Sequence, residues 1–499
     1  MGKTFYLTTP LYYVNAEPHI GHSYTNILAD TLARYHRLRG EEVFFLTGTD
    51  EHGQKIALKA REAGKTPKEF VDGMVPKFKK LWELLDISYD DFIRTTEERH
   101  TKVVQEVLRC LHEKGDLYEG SYTGWYCTPD ETFWPKGKVE GNLCPECKRP
   151  LEEISETNFF FKLSKYQNWL KEYIGQHPAW IVPESRQNEV ASLLEEPLPD
   201  LCITRPKERL SWGIPVPFSE KHVTYVWFDA LVNYISAARN LWPASCHFIG
   251  KDILRPHAVY WPIMLKALDL APPERIYAHG WWKMGGEKMS KSLGNVVDPF
   301  EMISRYGVDP YRYFLLRDVP FGQDGVFSEK ALEDRYTNDL ANDLGNLVQR
   351  IQTMVEKYAQ GKVPPKPKLK PDESPYKQDI EGAKFKVETA MKDGNFSEAL
   401  MWIWGWINGM NKFIEDNKPW KLAKQGEQER LLAFLYNLLE ALRVTAIFIY
   451  PFLPKTSSEI ASRLTLSSKI LSWNSLTQWG LLEPGASLKQ GGVLFPKLT

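Results

Sequence analysis

Three things that this 499-residue sequence has little of limit what it can be. Its formal net charge is only -1, so the whole chain is not a basic nucleic-acid coat, and any contact with a polyanion needs local lysine and arginine patches. Six cysteines in so long a chain do not suggest a disulfide framework, and a reducing compartment fits better. No apolar run reaches the roughly 20 residues that cross a bilayer, and the N-terminus lacks a secretory signal pattern. We therefore expect a cytoplasmic protein without a membrane partner.

The composition fits a folded protein of several domains. Aromatic residues make up 13% of the chain and charged residues 25%, which is typical of globular proteins. Because single hydrophobic cores stop growing well below this length, we expect roughly three domains of about 100–200 residues. The proline-rich and lysine-rich segment from Ala359 to Tyr376 is expected to be a linker.

The stretch from His19 to His22 predicts a site for phosphate groups. It follows an apolar, strand-like run from Thr4 to Thr9 and a turn-prone segment, and it opens a helix-like run from Ser23 to Arg39. The N–H groups and the dipole of a helix N-terminus both favour anionic oxygens. Gly21 lets a ligand approach the backbone, and the two imidazoles can donate hydrogen bonds to a phosphate. Two surface histidines at a helix cap are the simpler alternative, which four residues alone do not exclude.

A second site residue is expected at the end of the next strand. Val43 to Thr47 is nearly all apolar, as expected of a parallel strand covered on both faces. Ligands of doubly wound sheets lie beyond the carboxyl ends of strands, so Asp50 is placed to hold a cationic group such as an ammonium. The alternative is that Asp50 caps the helix that begins near Gln54. Residues 66–115 look helical.

Two lysines in a loop predict a second cationic element. Lys288-Met289-Ser290-Lys291-Ser292 follows a glycine turn at Gly285-Gly286. Lys288 and Lys291 flank small residues, and such a loop can neutralise a triphosphate and let it go afterwards. Taken alone, an ordinary solvated basic loop is the simpler interpretation.

The segment 116–215 differs in character and carries a candidate metal site. Cys127 and Asp130 form one pair, and Cys144 and Cys147 form a C-x-x-C pair further on. Four ligands in two pairs suit tetrahedral Zn²⁺, although three thiolates with one carboxylate are an uncommon set. A decayed knuckle with two free thiols is the alternative. With no histidine ligand or open position indicated, we expect a structural site rather than a hydrolytic one.

Further residues predict a wall for an apolar substrate group and a nucleoside site. Val223 to Phe228 has the pattern of a strand. Four residues would share one face if a helix starts there, although core packing explains such a stripe equally well: Trp227, Ala230, Leu231 and Tyr234. The apolar strand that begins at Cys246 leads to Asp252, which can accept hydrogen bonds from ribose hydroxyls.

After Asp309 the sequence is mainly helical. Asn346 and Arg350 lie four residues apart and therefore on one helix face. Trp420 follows the helix-breaking sequence Asn417-Lys418-Pro419, where its ring could stack on an unpaired base or pack at a helix junction. Helical patterns cover residues 331–358, 378–393, 396–423 and 427–464.

Together these motifs resemble the signature sequences of class I aminoacyl-tRNA synthetases, and in detail those of the bacterial-type methionyl-tRNA synthetases. The resemblance covers residues from about 4 to about 460. It rests on six segments: Thr9 to Tyr13, His19 to His22, Gly48 to Gly53, Tyr225 to Ala230, His247 to Ile253 and Lys288 to Ser292.

The resemblance implies an α/β fold with a Rossmann-like, doubly wound parallel sheet, an inserted connective domain and a following all-α helical bundle. The implied halves of the catalytic domain are residues 1–115 and 216–299, with the insertion at 116–215. Residues 300–340 would contact the tRNA stem, and residues 341–499 would bind the anticodon.

It also implies that the chain activates L-methionine with ATP and transfers it to the terminal adenosine of tRNA(Met), initiator tRNA included. Mg²⁺ would share the charge of the ATP phosphates, and one Zn²⁺ would be structural. Since no room remains after residue 464 for the extra C-terminal domain of dimeric relatives, we expect a monomer.

The implied sites map onto matching positions of this chain. Catalysis falls to His19, His22, Lys288 and Lys291. ATP binding adds Gly21, Gly250 and Asp252 to these four. Methionine binding falls to Leu11, Tyr13, Asp50, Trp227, Ala230, Leu231, Tyr234, Ile253 and His257. Anticodon binding falls to Asn346, Arg350 and Trp420, and metal binding to Cys127, Asp130, Cys144 and Cys147.

Two other classes of function stay open at this stage. One is a class I synthetase for a different amino acid, or a small-molecule ligase with the same signatures, which an exchange assay across twenty amino acids separates. The other is a catalytically silent tRNA-binding protein, which would bind tRNA without exchange activity.

Overall fold

The structure is a computed structural model that describes residues 3–128, 131–134, 137, 139, 141–145, 147–284, 287–288, 297–367, 376–467 and 470–498. Its first part alternates strands and helices. In chain order these elements are β1 (Phe5–Tyr13), α1 (Ile20–Leu38), β2 (Val43–Asp50), α2 (Gln54–Glu62), α3 (Pro67–Leu84), β3 (Asp91–Arg94) and α4 (Glu98–Glu113).

The next part is a mostly antiparallel segment. Its elements are β4 (Leu117–Cys127), β5 (Thr132–Trp134), β6 (Glu152–Phe161), α5 (Gln167–Gln176), β7 (Ile181–Val182), α6 (Glu184–Leu193), β8 (Leu201–Cys202), β9 (Thr204–Pro206) and β10 (His222–Thr224). A four-stranded sheet in the order β5-β4-β6-β8 forms its centre, with every pair antiparallel.

The chain then returns to alternating elements. These are α7 (Val226–Leu231), α8 (Asn233–Ala238), β11 (Cys246–Gly250), α9 (Trp261–Ala267), β12 (Ile276–His279), β13 (Trp282–Met284), β14 (Glu287–Lys288), α10 (Pro299–Tyr306), α11 (Val308–Arg317) and β15 (Gly325–Phe327).

The last part is helical. Its helices are α12 (Glu329–Arg335), α13 (Asn346–Ala359), α14 (Lys377–Lys392), α15 (Phe396–Asn417), α16 (Pro419–Gln425), α17 (Gln428–Ile449) and α18 (Pro454–Arg463). A π-helical stretch, Tyr336–Gly345, makes α12 and α13 one continuous rod.

A six-stranded sheet in the order β3-β2-β1-β11-β12-β7 organises the molecule. All five strand pairs are parallel, so the carboxyl ends of β1, β2, β11 and β12 point to the same edge. The two edge strands are short, and the buried inner strands carry the core on both faces. The fold class expected from the sequence is confirmed.

Three local expectations were wrong. The turn-prone segment expected from Pro10 to Pro18 begins only at Val14, because β1 continues to Tyr13 through a register shift between Thr8 and Leu11, where Pro10 has no N–H to pair. Residues 66–115 were expected to be helical throughout, but they contain the edge strand β3 between α3 and α4. The strand expected at Val223 to Phe228 ends at Thr224, and Trp227 lies on helix α7.

Helix α17 is the centre of the helical part. Judged by length and composition alone it could cross a membrane, but 83% of its most apolar window is buried inside the protein. Apolar side chains on all its faces pack against neighbouring helices, which is the usual reason for such a composition in a bundle core.

A buried arginine joins this helical part to the parallel sheet. Arg312 on α11 forms an ion pair of 2.7 Å with Asp30 on α1, and both side chains are fully buried. Its guanidinium also donates to the carbonyl oxygens of Leu85, Pro451 and Phe452 at 3.0–3.2 Å. Because a buried guanidinium is costly unless every donor is paired, these bonds fix α1, α11, the end of α3 and the turn between α17 and α18 together.

Candidate active site

A cavity of about 1270 Å³ lies beyond the carboxyl ends of β1, β2, β11 and β12. It is the place where an open parallel sheet binds ligands. Its walls include every predicted methionine residue and the predicted ATP residues other than the two lysines, whose side chains lie outside the described part of the chain: Leu11, Tyr13, His19, Gly21, His22, Asp50, Trp227, Ala230, Leu231, Tyr234, Gly250, Asp252, Ile253 and His257.

The two histidines at one end of the cavity cap helix α1. The Nδ1 atom of His19 accepts from the backbone N–H of Gly21 at 3.1 Å, and Nδ1 of His22 accepts from the N–H of His19 at 3.1 Å. Each neutral ring therefore carries its proton on Nε2, the atom that can donate to an anion. The rings stack with centroids 3.9 Å apart. The first turn of α1 contains no acidic residue, which keeps the helix N-terminus suited to a phosphate.

At the other end, Asp50 presents a buried carboxylate to the cavity. It lies at the end of β2, opposite Tyr13 in the register of β1. Its Oδ1 atom has no hydrogen-bond partner among the described residues. Burial raises the pKa of Asp50 well above its ordinary value, and the nearby carboxylates of Asp229 and Glu131 add to this. A cationic ligand would supply the missing partner and the compensating charge.

A hydrogen-bonded chain forms the apolar side of the cavity. The hydroxyl of Tyr234 donates to Nε2 of His257 at 2.8 Å, and Nδ1 of His257 donates to the carbonyl oxygen of Ile253 at 2.8 Å. Burial lowers the pKa of His257 to about 4, so its ring is neutral at neutral pH. Trp227, Ala230 and the rings behind them complete a wall that suits an apolar, polarizable group.

Gly250 and Asp252 also line the cavity. A Cβ atom at Gly250 would lie 2.5 Å from Oδ1 of Asp252, so the glycine leaves room for the carboxylate. Asp252 is exposed and accepts a hydrogen bond from Nε1 of Trp281 at 3.0 Å. Such an exposed, oriented carboxylate can accept hydrogen bonds from sugar hydroxyls.

The described part of the lysine loop lies beside the cavity. Trp282 on β13 lines the cavity, and the backbone of Lys288 on β14 pairs with Lys283 on β13. The side chain of Lys288 and the whole of Lys291 lie outside the described residues, so their predicted contact with a triphosphate stays a prediction.

Three of the four predicted metal ligands come together. The sulfur atoms of Cys127, Cys144 and Cys147 all lie within 4.8 Å of one another, and those of Cys127 and Cys147 are 3.5 Å apart. A tight turn carries the second pair, in which the N–H of Cys144 donates to the carbonyl oxygen of Arg149 at 2.8 Å. Three converging thiols fit the donor set and the spacing of a tetrahedral zinc site. The fourth candidate, Asp130, lies outside the described residues.

The predicted anticodon residues lie on the helical part, away from the cavity. Asn346 is exposed at the start of α13, and Arg350 on the same helix forms an ion pair of 2.6 Å with Glu415 near the end of α15. Trp420 is 39% exposed on α16, the next helix along the chain. Asn346 and Trp420 are therefore exposed on the helical part, and Arg350 is held at its surface by the pair with Glu415.

Among the residues of the cavity wall that the sequence analysis missed, three stand out. His279 ends β12, and its Nε2 atom lies 2.7 Å from the Thr25 hydroxyl on α1. Trp281 follows it, and Glu131 reaches the cavity from the segment between β4 and β5. The rule that ligands lie beyond strand ends would have found His279, since it ends the strand-like run that starts at Arg275 in the sequence. No local signal marks Glu131.

Comparison with known proteins agrees with this geometry. The family model described as "tRNA synthetases class I (M)" matches residues 5–153 and 150–352, and "Anticodon binding domain of methionyl tRNA ligase" matches residues 363–499. Fold and site thus define a class I aminoacyl-tRNA synthetase.

Relatives of known activity narrow the class. The methionine–tRNA ligase of Caldanaerobacter subterraneus subsp. tengcongensis is 48% identical over 509 residues, which cover 100% of this chain and 79% of that protein. The Thermotoga maritima enzyme of the same name is 47% identical and covers 99% of this chain and 80% of its own length. The chain belongs to the methionine–tRNA ligase family.

Solved structures show the same fold. Mycobacterium tuberculosis methionyl-tRNA synthetase in complex with methionyl-adenylate superposes with a TM-score of 0.94 at 39% identity, covering 99% of this chain and 100% of that one. The apo form of the same M. tuberculosis enzyme gives a TM-score of 0.86 at 37% identity, covering 100% of this chain and 99% of that one.

Proposed function

We propose that the cavity binds L-methionine and ATP side by side, so that the methionine carboxylate attacks the α-phosphorus in line with the departing pyrophosphate. The chain activates methionine as methionyl-adenylate and then transfers it to the terminal adenosine of tRNA(Met). One observation carries the arrangement: the Asp50 oxygen, which has no hydrogen-bond partner among the described residues, and the histidines that cap α1 face the same cavity. Holding the two reactants in this geometry supplies much of the rate.

The methionine end is assigned from the buried groups around Asp50. The Asp50 carboxylate takes the substrate ammonium, while Tyr13, Trp227 and His257 enclose the thioether chain. The remaining wall residues, Leu11, Ala230, Leu231, Tyr234 and Ile253, supply dispersion contacts or orient these four. A neutral His257 supports this role, because burying a charged ring against an apolar side chain would cost free energy.

The phosphate end is assigned from the cap of α1. His19 and His22 donate from Nε2 to the charge that develops on the α-phosphate, and Gly21 allows the close approach. Gly250 and Asp252 receive the nucleoside. Lys288 and Lys291 engage the β and γ phosphates, and Mg²⁺ bound to ATP would supply further counter-charge there.

The cysteine cluster is proposed to hold one structural Zn²⁺ through Cys127, Cys144, Cys147 and Asp130. The metal would fix the fold of the hairpin around it and take no part in the reaction. Zinc analysis of the reduced, purified protein tests this, and less than about 0.1 equivalent would exclude the site.

The larger division of labour is also proposed. Residues 1–115 and 216–299 form the catalytic domain, 116–215 the connective insertion, 300–340 the stem contact and 341–499 the anticodon domain. Asn346, Arg350 and Trp420 read the anticodon of both elongator and initiator tRNA(Met). The protein acts as a cytoplasmic monomer. Light scattering, which measures the molar mass in solution, tests the monomeric state directly.

Methionine-dependent exchange of pyrophosphate into ATP is the decisive experiment. Wild-type protein should exchange with methionine alone among the twenty amino acids. His22→Ala and Lys291→Ala should lower the exchange rate by about 10²-fold or more while leaving methionine affinity almost unchanged, because they act on the developing phosphate charge. His177→Ala is the matched control, since His177 is exposed on the surface outside the cavity. Exchange at the wild-type rate in His22→Ala would refute the role.

A further inference from the structure

Glu131 is a buried acid that reaches the cavity from outside the parallel sheet. It precedes β5 and is only 4% exposed, with a left-handed backbone at φ 49. A buried carboxylate in so strained a position needs compensating hydrogen bonds. Those bonds all lead to elements that surround Asp50.

The Glu131 carboxylate holds two parts of the methionine end at once. Its Oε2 atom accepts from the hydroxyl of Tyr13 at 2.9 Å, and its Oε1 atom accepts from the backbone N–H of Lys55 at 3.0 Å. Its own carbonyl oxygen accepts from the hydroxyl of Tyr225, the residue that precedes α7. Burial raises the pKa of Glu131, and the bonds from Lys55 and Tyr13 oppose that shift.

The second of these bonds caps helix α2 from a distance. Gly53 is the N-cap of α2, makes no side-chain cap and has a φ of 104, so the helix lacks a local acceptor for its first N–H groups. A Cβ atom at Gly53 would lie 2.7 Å from Oε1 of Glu131, so only glycine lets the carboxylate come so close. The loop between Asp50 and α2 is thereby fixed by a residue from another part of the chain.

Glu131 therefore touches both neighbours of the ammonium-binding carboxylate. Tyr13 is the register partner of Asp50 across β1 and β2, and α2 follows Asp50 along the chain. We propose that Glu131 is a positioning residue of the methionine pocket: it orients the Tyr13 hydroxyl and the start of α2, and so holds Asp50 in place for the substrate. This inference rests on the proposed assignment of Asp50 and Tyr13 to methionine.

The cysteine cluster lies next to the strand ends that hold Glu131. Cys127 ends β4 and pairs with Thr132 on β5, so the two strand ends that flank Glu131 are held together next to the cluster. The insertion would then tune methionine binding through Glu131 without supplying a ligand to the substrate. Any loss of order at the cluster should be felt first as weaker methionine binding.

The test separates the Michaelis constants of the two small substrates. Glu131→Ala should raise KM for methionine by about 10- to 100-fold, the range for losing hydrogen bonds to a charged group, and change KM for ATP by less than about twofold. Glu131→Gln keeps the size and one acceptor oxygen, so it should recover part of the loss. Glu119→Gln on the same segment is the matched control, because Glu119 is exposed on β4.

A double mutant shows whether Glu131 acts through Tyr13. If it does, Tyr13→Phe with Glu131→Ala should raise KM for methionine less than the product of the two single effects. Multiplicative effects would overturn the path through Tyr13. Equal rises in KM for methionine and ATP, together with a lower melting temperature, would show that Glu131 only caps α2.

The cluster is tested by Cys147→Ser, with zinc content and KM for methionine measured on the same sample. Lower zinc content with a raised KM for methionine supports the link, and lower zinc content with an unchanged KM overturns it. Failure of this inference is distinguishable from failure of the proposed function. If only the inference is wrong, the wild-type protein still shows methionine-dependent exchange. If the proposed function is wrong, the wild-type protein shows no such exchange.

Discussion

Nδ1 of His52 donates to the carboxylate of Asp229 at 2.7 Å, and this bond joins the strand end that carries Asp50 to the helix that carries Trp227. His100 on α4 donates to the other oxygen of Asp229 at 2.9 Å. The Asp229 side chain is fully buried, and interaction with the two imidazoles keeps its pKa below the ordinary value despite burial. Three elements thus meet at a single carboxylate behind the methionine wall.

Asp229→Asn should lower the free energy of unfolding by about 2–4 kcal/mol, because it removes the charge that both imidazoles are paired with in a buried place. KM for methionine should rise as α7 loses its tie to β2. Urea unfolding and exchange kinetics measure the two effects. Glu98→Gln breaks the exposed pair with Lys102 and should change stability by less than about 0.5 kcal/mol; a similar value for both variants would contradict the prediction.

Asp50→Asn should weaken methionine binding and make the fold more stable. A carboxyl group whose pKa in the folded state is raised above 3.8 lowers the stability of the fold at every pH above 3.8. The variant should therefore be more stable than wild type at pH 7 by about 1–2 kcal/mol. The difference should vanish as the pH falls below 3.8, where both side chains are neutral. Unfolding curves across pH check the sign, and KM for methionine should rise while KM for ATP does not.

His257 should make stability depend on pH in the acid range. Its folded pKa of about 4 lies below the ordinary 6.5, so the unfolded chain binds the extra proton first and stability is lost as the pH falls from 6.5 toward 4. The full difference is worth about 3 kcal/mol. His257→Gln cannot take up this proton, so its unfolding free energy should fall less than that of wild type over this window. Parallel curves for the two proteins would count against a neutral, buried ring.

Trp420→Ala should lower the rate of tRNA charging without touching amino-acid activation. Loss of one stacked base costs about 1–3 kcal/mol, so kcat/KM for tRNA should fall by about 5- to 150-fold. Pyrophosphate exchange without tRNA should stay at the wild-type rate, because Trp420 lies outside the cavity. Phe385→Ala, which removes another exposed ring from the helical part, is the control and should leave charging unchanged.

Much of the fold could be read from the sequence, because its signals are local. Helix α1 begins at Ile20, three residues before the helix-like run expected from Ser23, because the side chain of His19 caps it, and the apolar runs that begin at Val43 and Cys246 became β2 and β11. The strand β3 escaped notice because four edge residues leave too short a pattern between two long helices. The continuation of β1 past Pro10 depends on pairing with β2, which no local signal reports.

The site was predictable to the extent that its residues follow strand ends. Asp50 and Asp252 were found in this way, and both line the cavity. Glu131 was not, because its place depends on the tertiary packing of a hairpin against α2 rather than on its sequence neighbours. Lys291 was found by its motif, and its predicted contact with phosphate stays a prediction.

The pairing of Arg312 with Asp30 has a consequence for how the molecule opens. Separating the bundle from α1 would leave a guanidinium and a carboxylate without partners in a dry interior, so the two parts should exchange their core amide hydrogens in one concerted event. A disturbance at the far end of the bundle would then reach α1, the helix that His19 caps, as a change in how often that shared unit opens.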